Sequence, residues 1–216
     1  MSTFTDQKLA EKVNMAFWDG VSWEVPSLIL FWTFFTVIMI QTVWFTNRLG
    51  ITPTPTSKSV INHCLALLPP LPEGKIYELG SGWGGVAFKL ARHFPERQIE
   101  AYELAWLPYY FSRFKTLLPP FRYKNLKFVR RDFFEISLHD AGFLFCYLYP
   151  GVMERLKKKY ERELKPKTLF ISHTFAFPEW EPIQTALARD LYKTPIYLYQ
   201  HSQANERAKK ASLQTN

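Results

Sequence analysis

The sequence predicts an α/β protein: a largely parallel sheet with helices on both faces, preceded by one long apolar helix. Three observations predict it. From Lys75 onward, short apolar segments rich in β-formers alternate with segments of helical periodicity, the signature of strands joined by crossover helices. The first of these strands runs directly into the glycine-rich turn Gly80-Ser-Gly-Trp-Gly-Gly85. Ahead of this region, no charged residue occurs from Val25 to Asn47, and the core of that stretch is apolar on every side of a helix.

In chain order, residues 1–24 form an amphipathic segment. Its helix, Thr5 to Phe17, sets Leu9, Val13, Ala16 and Phe17 against Lys8, Glu11 and Lys12. Residues 25–47 are long enough to cross a ~30 Å hydrocarbon layer at ~1.5 Å per residue. They are bounded by Glu24 and Arg48, and Trp23, Trp44 and Phe45 occupy the places of interfacial aromatics. A cleaved signal peptide fits poorly, because the run starts late and has neither a basic flank before it nor a small-residue cleavage site after it. The linker 48–57 contains Thr52-Pro-Thr-Pro-Thr56, stiff and extended because each proline disfavours helix at the residue before it. Ser57 or Ser59 then caps a helix from Val60 to Leu68, which Pro69 and Pro70 stop.

A domain over 58–201 follows. Strands are expected at 75–79, 98–103, 126–130, 142–148 and 167–173, with helices at 86–93, 106–117 and 151–164. Residues 183–200 are ambiguous and can supply two closing strands, Ile196 to Tyr199 being the clearer. A polar tail, 202–216, ends the chain.

The 216 residues suffice for one ordinary domain plus a small appendage. The net charge is +8, with the excess almost wholly after residue 47, so anionic lipid head groups would attract the domain, as would nucleic acid. Cys64 and Cys146 are expected to be small buried side chains in a reducing compartment. With no C-x-x-C, no H-E-x-x-H and no histidine cluster, no metal site is expected.

The glycine turn and Glu103 together describe a nucleotide-type pocket. Glycines let the backbone bend and approach a ligand, a helix opens just after them, and the strand ending at Glu103 offers a carboxylate able to accept both hydroxyls of a ribose. Gly80, Gly82 and Gly85 also satisfy a dinucleotide spacing, so the glycines alone do not separate NAD from S-adenosylmethionine. Glu78 favours the latter, since a carboxylate beneath the turn attracts a cationic amino acid and repels a pyrophosphate, which Trp83 would also crowd. The expected cofactor contacts are Glu78, Gly80, Ser81, Gly82, Gly84, Glu103 and Leu104. Asp132 and Phe133, after the third strand, are added as partners of an adenine amine and ring.

At the end of the fourth strand, Tyr147, Tyr149 and Pro150 are candidates to wall a reaction centre, because reacting groups in open α/β sheets sit at the carboxyl ends of central strands. Tyrosines in such a strand also serve as packing. The helix from 151 carries a basic run, Lys157-Lys-Lys159, read as a solvated face, with contact to anionic lipid as the alternative. Phe175-Ala-Phe-Pro-Glu-Trp180 borders the pocket, where it either grips an apolar substrate or covers the sheet end.

The order Pro53-Thr-Pro55, Glu78-Leu-Gly-Ser-Gly82, Tyr102-Glu-Leu104, Asp132-Phe-Phe134, Tyr149-Pro-Gly-Val-Met153 and Phe175-Ala-Phe-Pro-Glu-Trp180 resembles membrane-anchored class I methyltransferases. That group includes the mitochondrial enzymes that modify lysines of the adenine nucleotide translocase and the ATP synthase c subunit, with prokaryotic relatives. The likeness runs over roughly residues 26 to 200. It implies a Rossmann-like class I fold, S-adenosylmethionine as cofactor and lysine N-methylation in a membrane protein. Two departures stand out: Glu78 replaces an aspartate and keeps the charge, while Trp83 replaces a second aspartate and removes one.

The expected function is therefore S-adenosylmethionine-dependent lysine methylation at a membrane. The bilayer is the partner of residues 25–47, and nucleic acid is not expected. The catalytic domain is placed on the cytoplasmic side, or the matrix side in a mitochondrion, because the cofactor is found there. Two alternatives stay open: methylation of a lipid or small apolar molecule, and a non-catalytic scaffold with the same fold. An NAD-dependent reductase is disfavoured because no second domain follows the glycines.

Overall fold

The computed structural model describes residues 23–49 and 55–201. The expected amphipathic helix 5–17, residues 50–54 of the linker and the tail from 202 lie outside the described residues. The chain divides into two units, 1–48 and 49–216, each described by itself.

The described part of the first unit is helix α1, Glu24–Leu49. Pro26 falls in its first turn, where a missing N–H costs nothing. The Ser27 hydroxyl donates to the Glu24 carbonyl at 2.8 Å and Thr33 to the Ile29 carbonyl at 2.7 Å, so these polar groups are satisfied within the helix. The apolar side chains from Leu28 to Phe35 stand exposed, Leu30 at 76%. Among the described residues no helix is long and apolar enough to cross a membrane.

The second unit opens with α2, Lys58–Leu67, and Ser57 is its cap: the hydroxyl accepts the Val60 N–H at 3.2 Å. Then come β1 (Lys75–Leu79), α3 (Gly85–His93), β2 (Ile99–Tyr102), α4 (Trp106–Lys115) and β3 (Leu126–Val129). A single 3-10 turn, Phe133–Glu135, leads to β4 (Ala141–Cys146), and α5 (Pro150–Glu163), β5 (Leu169–His173), β6 (Gln184–Leu187) and β7 (Pro195–Gln200) complete the domain.

The seven strands lie in the order β3-β2-β1-β4-β5-β7-β6. Strands β1 to β5 are parallel, as the alternation with helices requires, but the sheet is mixed, because β7 runs antiparallel between β5 and β6. The cause is local. Only a short loop joins β6 to β7, and the Asp190 carboxylate tightens it by accepting the Thr194 N–H at 2.8 Å and hydroxyl at 2.6 Å; parallel neighbours need a longer crossover.

Strand alternation sends residues to two cores. Ile76, Phe143, Phe145 and Ile171 pack under α2 and α3, whereas Leu79, Leu144, Cys146 and Phe170 pack under α5. On the α5 side one open alternative is decided and one expectation is corrected. Phe177 and Trp180 are buried with Tyr160, Phe170 and Tyr199, so this segment covers the sheet end, and of its aromatic rings Phe175 alone remains half-exposed. Lys159 does not share the solvated face of its neighbours. It is buried, and its ammonium donates to the Ile136 carbonyl at 2.5 Å and to the Glu163 carboxylate at 2.7 Å. Both cysteines are free and buried, as expected.

Candidate active site

Strand order places the site. β1 lies between β2 and β4, so the crossovers leave β1 in opposite directions and open a crevice beyond its carboxyl end, where the glycine turn sits. Gly80, Gly82 and Gly84 adopt φ of 81°, 50° and 78°, a region that side-chain-bearing residues avoid. The turn is pinned to β2: the amides of Gly80 and Ser81 both donate to the Tyr102 carbonyl, at 2.9 and 2.8 Å. The glycines have different reasons to be glycine. A Cβ on Gly84 would lie 2.8 Å from Phe128 and 2.9 Å from the Ser112 hydroxyl, whereas a Cβ on Gly82 would meet nothing within 4 Å. Space for a ligand therefore lies over Gly82.

Two carboxyls converge beneath that space. Glu103 turns inward: one oxygen accepts the Gly82 N–H at 2.7 Å and the other the Ala105 N–H at 2.8 Å. Burial raises its pKa, and the amides of Ala105, Gly82 and Leu104 oppose the rise. Glu78 is only 3% exposed, its Oε2 has no hydrogen-bond partner, and burial followed by the Glu103 charge pushes its pKa well above the usual carboxylate range. A backbone hydrogen bond to Ala87, in the first turn of α3, partly offsets that push. The buried Ser81 hydroxyl is likewise unpartnered. Unsatisfied buried polar groups cost of order 1–3 kcal/mol each, so this cradle is built for a polar, cationic guest.

The other expected residues arrive from neighbouring strands. Leu104 is exposed beside Glu103. Asp132 follows β3 and caps the 3-10 turn, its Oδ1 accepting the Phe134 N–H at 2.9 Å; Phe133 is half-buried against Phe134. Trp83 does not plug the crevice: it remains exposed and meets Phe111 of α4 edge-on at 5.2 Å. Tyr147 and Tyr149 follow β4, and Pro150 opens α5 with Tyr149 as its N-cap.

Sequence reasoning missed His173 and Thr56. The β4–β5 register brings His173 under Tyr147, their rings stacked at 4.2 Å, with Phe175 parallel to the tyrosine at 6.3 Å. Thr56 lies 3.0 Å from His173 Nε2, joining the end of the Pro/Thr linker to the sheet. Burial pushes the His173 pKa down to about 4, so the ring is neutral at pH 7. A histidine at the carboxyl end of a strand was the available signal, but its partners come from segments distant in sequence.

A shallow hollow of about 390 Å³ lies elsewhere, among Lys75, Tyr77, Glu100, Tyr102, Arg131 and Asp140. Its groups satisfy one another: Lys75 bridges Glu100 at 3.1 Å and Asp140 at 3.0 Å, and each tyrosine donates to one of these carboxylates at 2.6 Å. The unsatisfied chemistry lies at the glycine turn. Among the described residues no cluster is suited to hold a metal ion.

Comparison with known proteins agrees with this geometry. The family described as ANTKMT methyltransferase domain matches residues 78–184, from Glu78 to the start of β6. A protein-lysine N-methyltransferase of Saccharolobus islandicus is 27% identical over 150 residues, covering 67% of this chain and 90% of that protein. A Salinibacter ruber RNA methyltransferase, solved with S-adenosyl-L-homocysteine, shares 26% identity at a TM-score of 0.60 over 68% of this chain and 93% of that one. The chain is a methyltransferase.

The methyltransferase also resembles two animal proteins. The mouse adenine nucleotide translocase lysine N-methyltransferase is 28% identical over 63% of this chain and 58% of its own length. The human lysine N-methyltransferase of the ATP synthase c subunit is 29% identical over 50% of this chain and 46% of its own length. The matches thus span about half the length of these two relatives. The fold is class I and Rossmann-like, with the mixed sheet described above.

Proposed function

We propose that this methyltransferase moves a methyl group from S-adenosylmethionine to a lysine side chain of a membrane protein, from a domain held at the bilayer by residues 25–47. The observation that carries the reading is the meeting of two buried carboxyls, Glu78 and Glu103, at a glycine turn with open space over Gly82. The lysine is supported by the activities named for the archaeal, mouse and human relatives, and the membrane-protein substrate by the translocase and ATP synthase subunit named for the mouse and human ones.

The cofactor fits the groups present. When bound, it supplies an electrophilic methyl on a cationic sulfonium. Glu103 would exchange the Gly82 amide for ribose hydroxyls, and the unpartnered Glu78 oxygen would receive the amino-acid ammonium directly or through water. Asp132, Phe133 and Leu104 would flank the adenine. Tyr147, Tyr149 and Pro150 would wall the transfer centre, with Tyr147 held flat by His173.

An attacking lysine must be neutral. With a free pKa of about 10.4, its deprotonation at pH 7 costs roughly 4.6 kcal/mol. An aromatic wall beside a sulfonium disfavours the ammonium, and His173, itself neutral, adds no positive charge. The residues thus position the amine and exclude water rather than supply a strong base.

Residues 25–47 are the proposed anchor because apolar side chains from Leu28 to Phe35 stand exposed on α1, which water does not tolerate over such an area. The domain is assigned to a side where the cofactor is found, the cytoplasm or the mitochondrial matrix. Protease protection in sealed vesicles checks this.

The deciding experiment incubates purified full-length chain and membranes with methyl-labelled S-adenosylmethionine and partitions the label. Label on protein lysine supports the proposal. Label in the organic extract favours a lipid substrate, and cofactor binding without transfer favours a scaffold.

A further inference from the structure

Helix α4 is turned inside out for a soluble protein. At 100° per residue, its buried side holds Pro108 and Ser112, with Tyr109 half-buried against the cluster of Phe88 and Phe128 and Lys115 folded half-buried over Phe88 at 4.8 Å. Its exposed side carries Trp106, Tyr110, Phe111 and Phe114, and the apolar surface continues into Leu117 and Leu118, which are also exposed. The fully buried positions are small for a reason: the Ser112 hydroxyl donates to the Gly82 carbonyl at 3.3 Å, and Ser112 packs where Gly84 admits no Cβ. Seating the helix on the glycine turn thus commits its large residues to the outside. That apolar face is contiguous with the site through the Trp83–Phe111 contact.

The stretch of chain that carries this face is basic. Between Glu103 and Asp132 the sequence carries seven basic residues and no acidic one, and Arg113 is exposed on the helix itself. Aromatic and leucine side chains beside lysine and arginine match the head-group boundary of an anionic bilayer, where indole and phenol rings prefer to lie. A nucleic acid would use the charges and rings but has no complement for Phe114, Leu117 and Leu118.

We infer that the exposed face of α4 and the turn after it dock on anionic lipid, a second membrane contact that lays the cofactor end of the sheet against the bilayer surface. The inference extends the membrane setting proposed above but requires neither the anchor nor a lysine substrate. It is tested by lipid contact alone.

The full-length chain bearing Tyr110→Cys or Phe114→Cys is spin-labelled and read with phosphatidylcholine vesicles with and without phosphatidylserine, with Lys158→Cys, an exposed position on α5, as control. Cys64 and Cys146 are buried, with thiol pKa values pushed up to about 12, and stay unlabelled. S-adenosylmethionine binding reports that each variant is folded. The expected result is a several-fold rise in collision with oxygen relative to a water-soluble nickel chelate at 110 and 114, larger with phosphatidylserine and absent at 158. Labels at 110 and 114 that remain as open to nickel as the one at 158 overturn the inference. Shielding from both relaxants, which marks a second copy, or a change produced by single-stranded RNA instead of vesicles, also overturns it. Methyl transfer to a soluble lysine peptide measured alongside reports on the proposed activity independently.

Discussion

The ring of His173 lies parallel to that of Tyr147 with 4.2 Å between centroids, while Thr56 holds the far nitrogen of the histidine at 3.0 Å. Three segments far apart in sequence therefore fix one wall of the crevice. A neutral imidazole suits this position because it can donate at one nitrogen and accept at the other, with Thr56 and Thr174 as its two hydroxyl neighbours. The same contact makes the wall sensitive to acid.

With its pKa lowered from 6.5 to about 4, His173 favours the folded state when neutral, so its contribution is complete above pH 6.5 and is lost as pH falls through about 4. His173→Phe keeps a stacking ring and removes the titration. Urea unfolding should therefore show wild type losing on the order of 2–3 kcal/mol relative to the variant between pH 7.5 and pH 4. A constant gap across that range refutes the assignment.

Tyr147→Phe preserves the stack and Tyr147→Leu does not. The Phe variant should unfold within about 0.5 kcal/mol of wild type, and the Leu variant should lose about 1–2 kcal/mol. If Tyr147 positions the acceptor amine, kcat falls in both while the cofactor KM stays near wild type. Thermal melts with steady-state kinetics separate the two effects.

The glycines offer a paired test. Gly82→Asn places a residue that tolerates positive φ into open space, so folding should survive while cofactor affinity drops by ~10-fold or more. Gly84→Ala drives a Cβ against Phe128 and Ser112, so it should destabilise the fold by about 2–4 kcal/mol. Calorimetric titration and chemical denaturation of both variants check the pair.

Glu103→Gln removes a charge-assisted partner of the ribose and should weaken cofactor binding by about 1.5–3 kcal/mol. Glu78→Gln should act in two directions. Because the Glu78 pKa is raised above 4.5 in the fold, the acid costs stability progressively as pH climbs from 4.5 through that raised value. The amide escapes this cost, so the unliganded variant should be more stable than wild type at pH 8 yet bind the cofactor less tightly. Binding to wild type should release a proton, seen as a buffer-dependent heat.

Lys159→Ala leaves Glu163 and the Ile136 carbonyl without their buried cation and should destabilise by about 3–5 kcal/mol, measured by urea midpoint. Lys158→Ala, one residue away on the exposed side, should change stability by less than about 0.5 kcal/mol.

Much of this molecule was legible before any coordinates, because the strongest signals are local. Strand alternation, the glycine turn and the Glu103 spacing each rest on residues close in sequence, and they foretell β1 to β5, their helices and the meeting of Glu78 and Glu103 at the turn. What escaped was whatever depends on which strand neighbours which. The antiparallel β7 follows from a short loop before it, the burial of Phe177 and Trp180 from the α5 side of the sheet, and the burial of Lys159 from carbonyls some 23 residues upstream. His173 meets Tyr147 only through the β4–β5 register, and the outward rings of α4 follow from Ser112 seating on Gly82. Backbone preference and hydrophobic period act over a few residues, whereas pairing and burial are set by the whole sheet, so residue types could name the elements and the acids but not their distant partners.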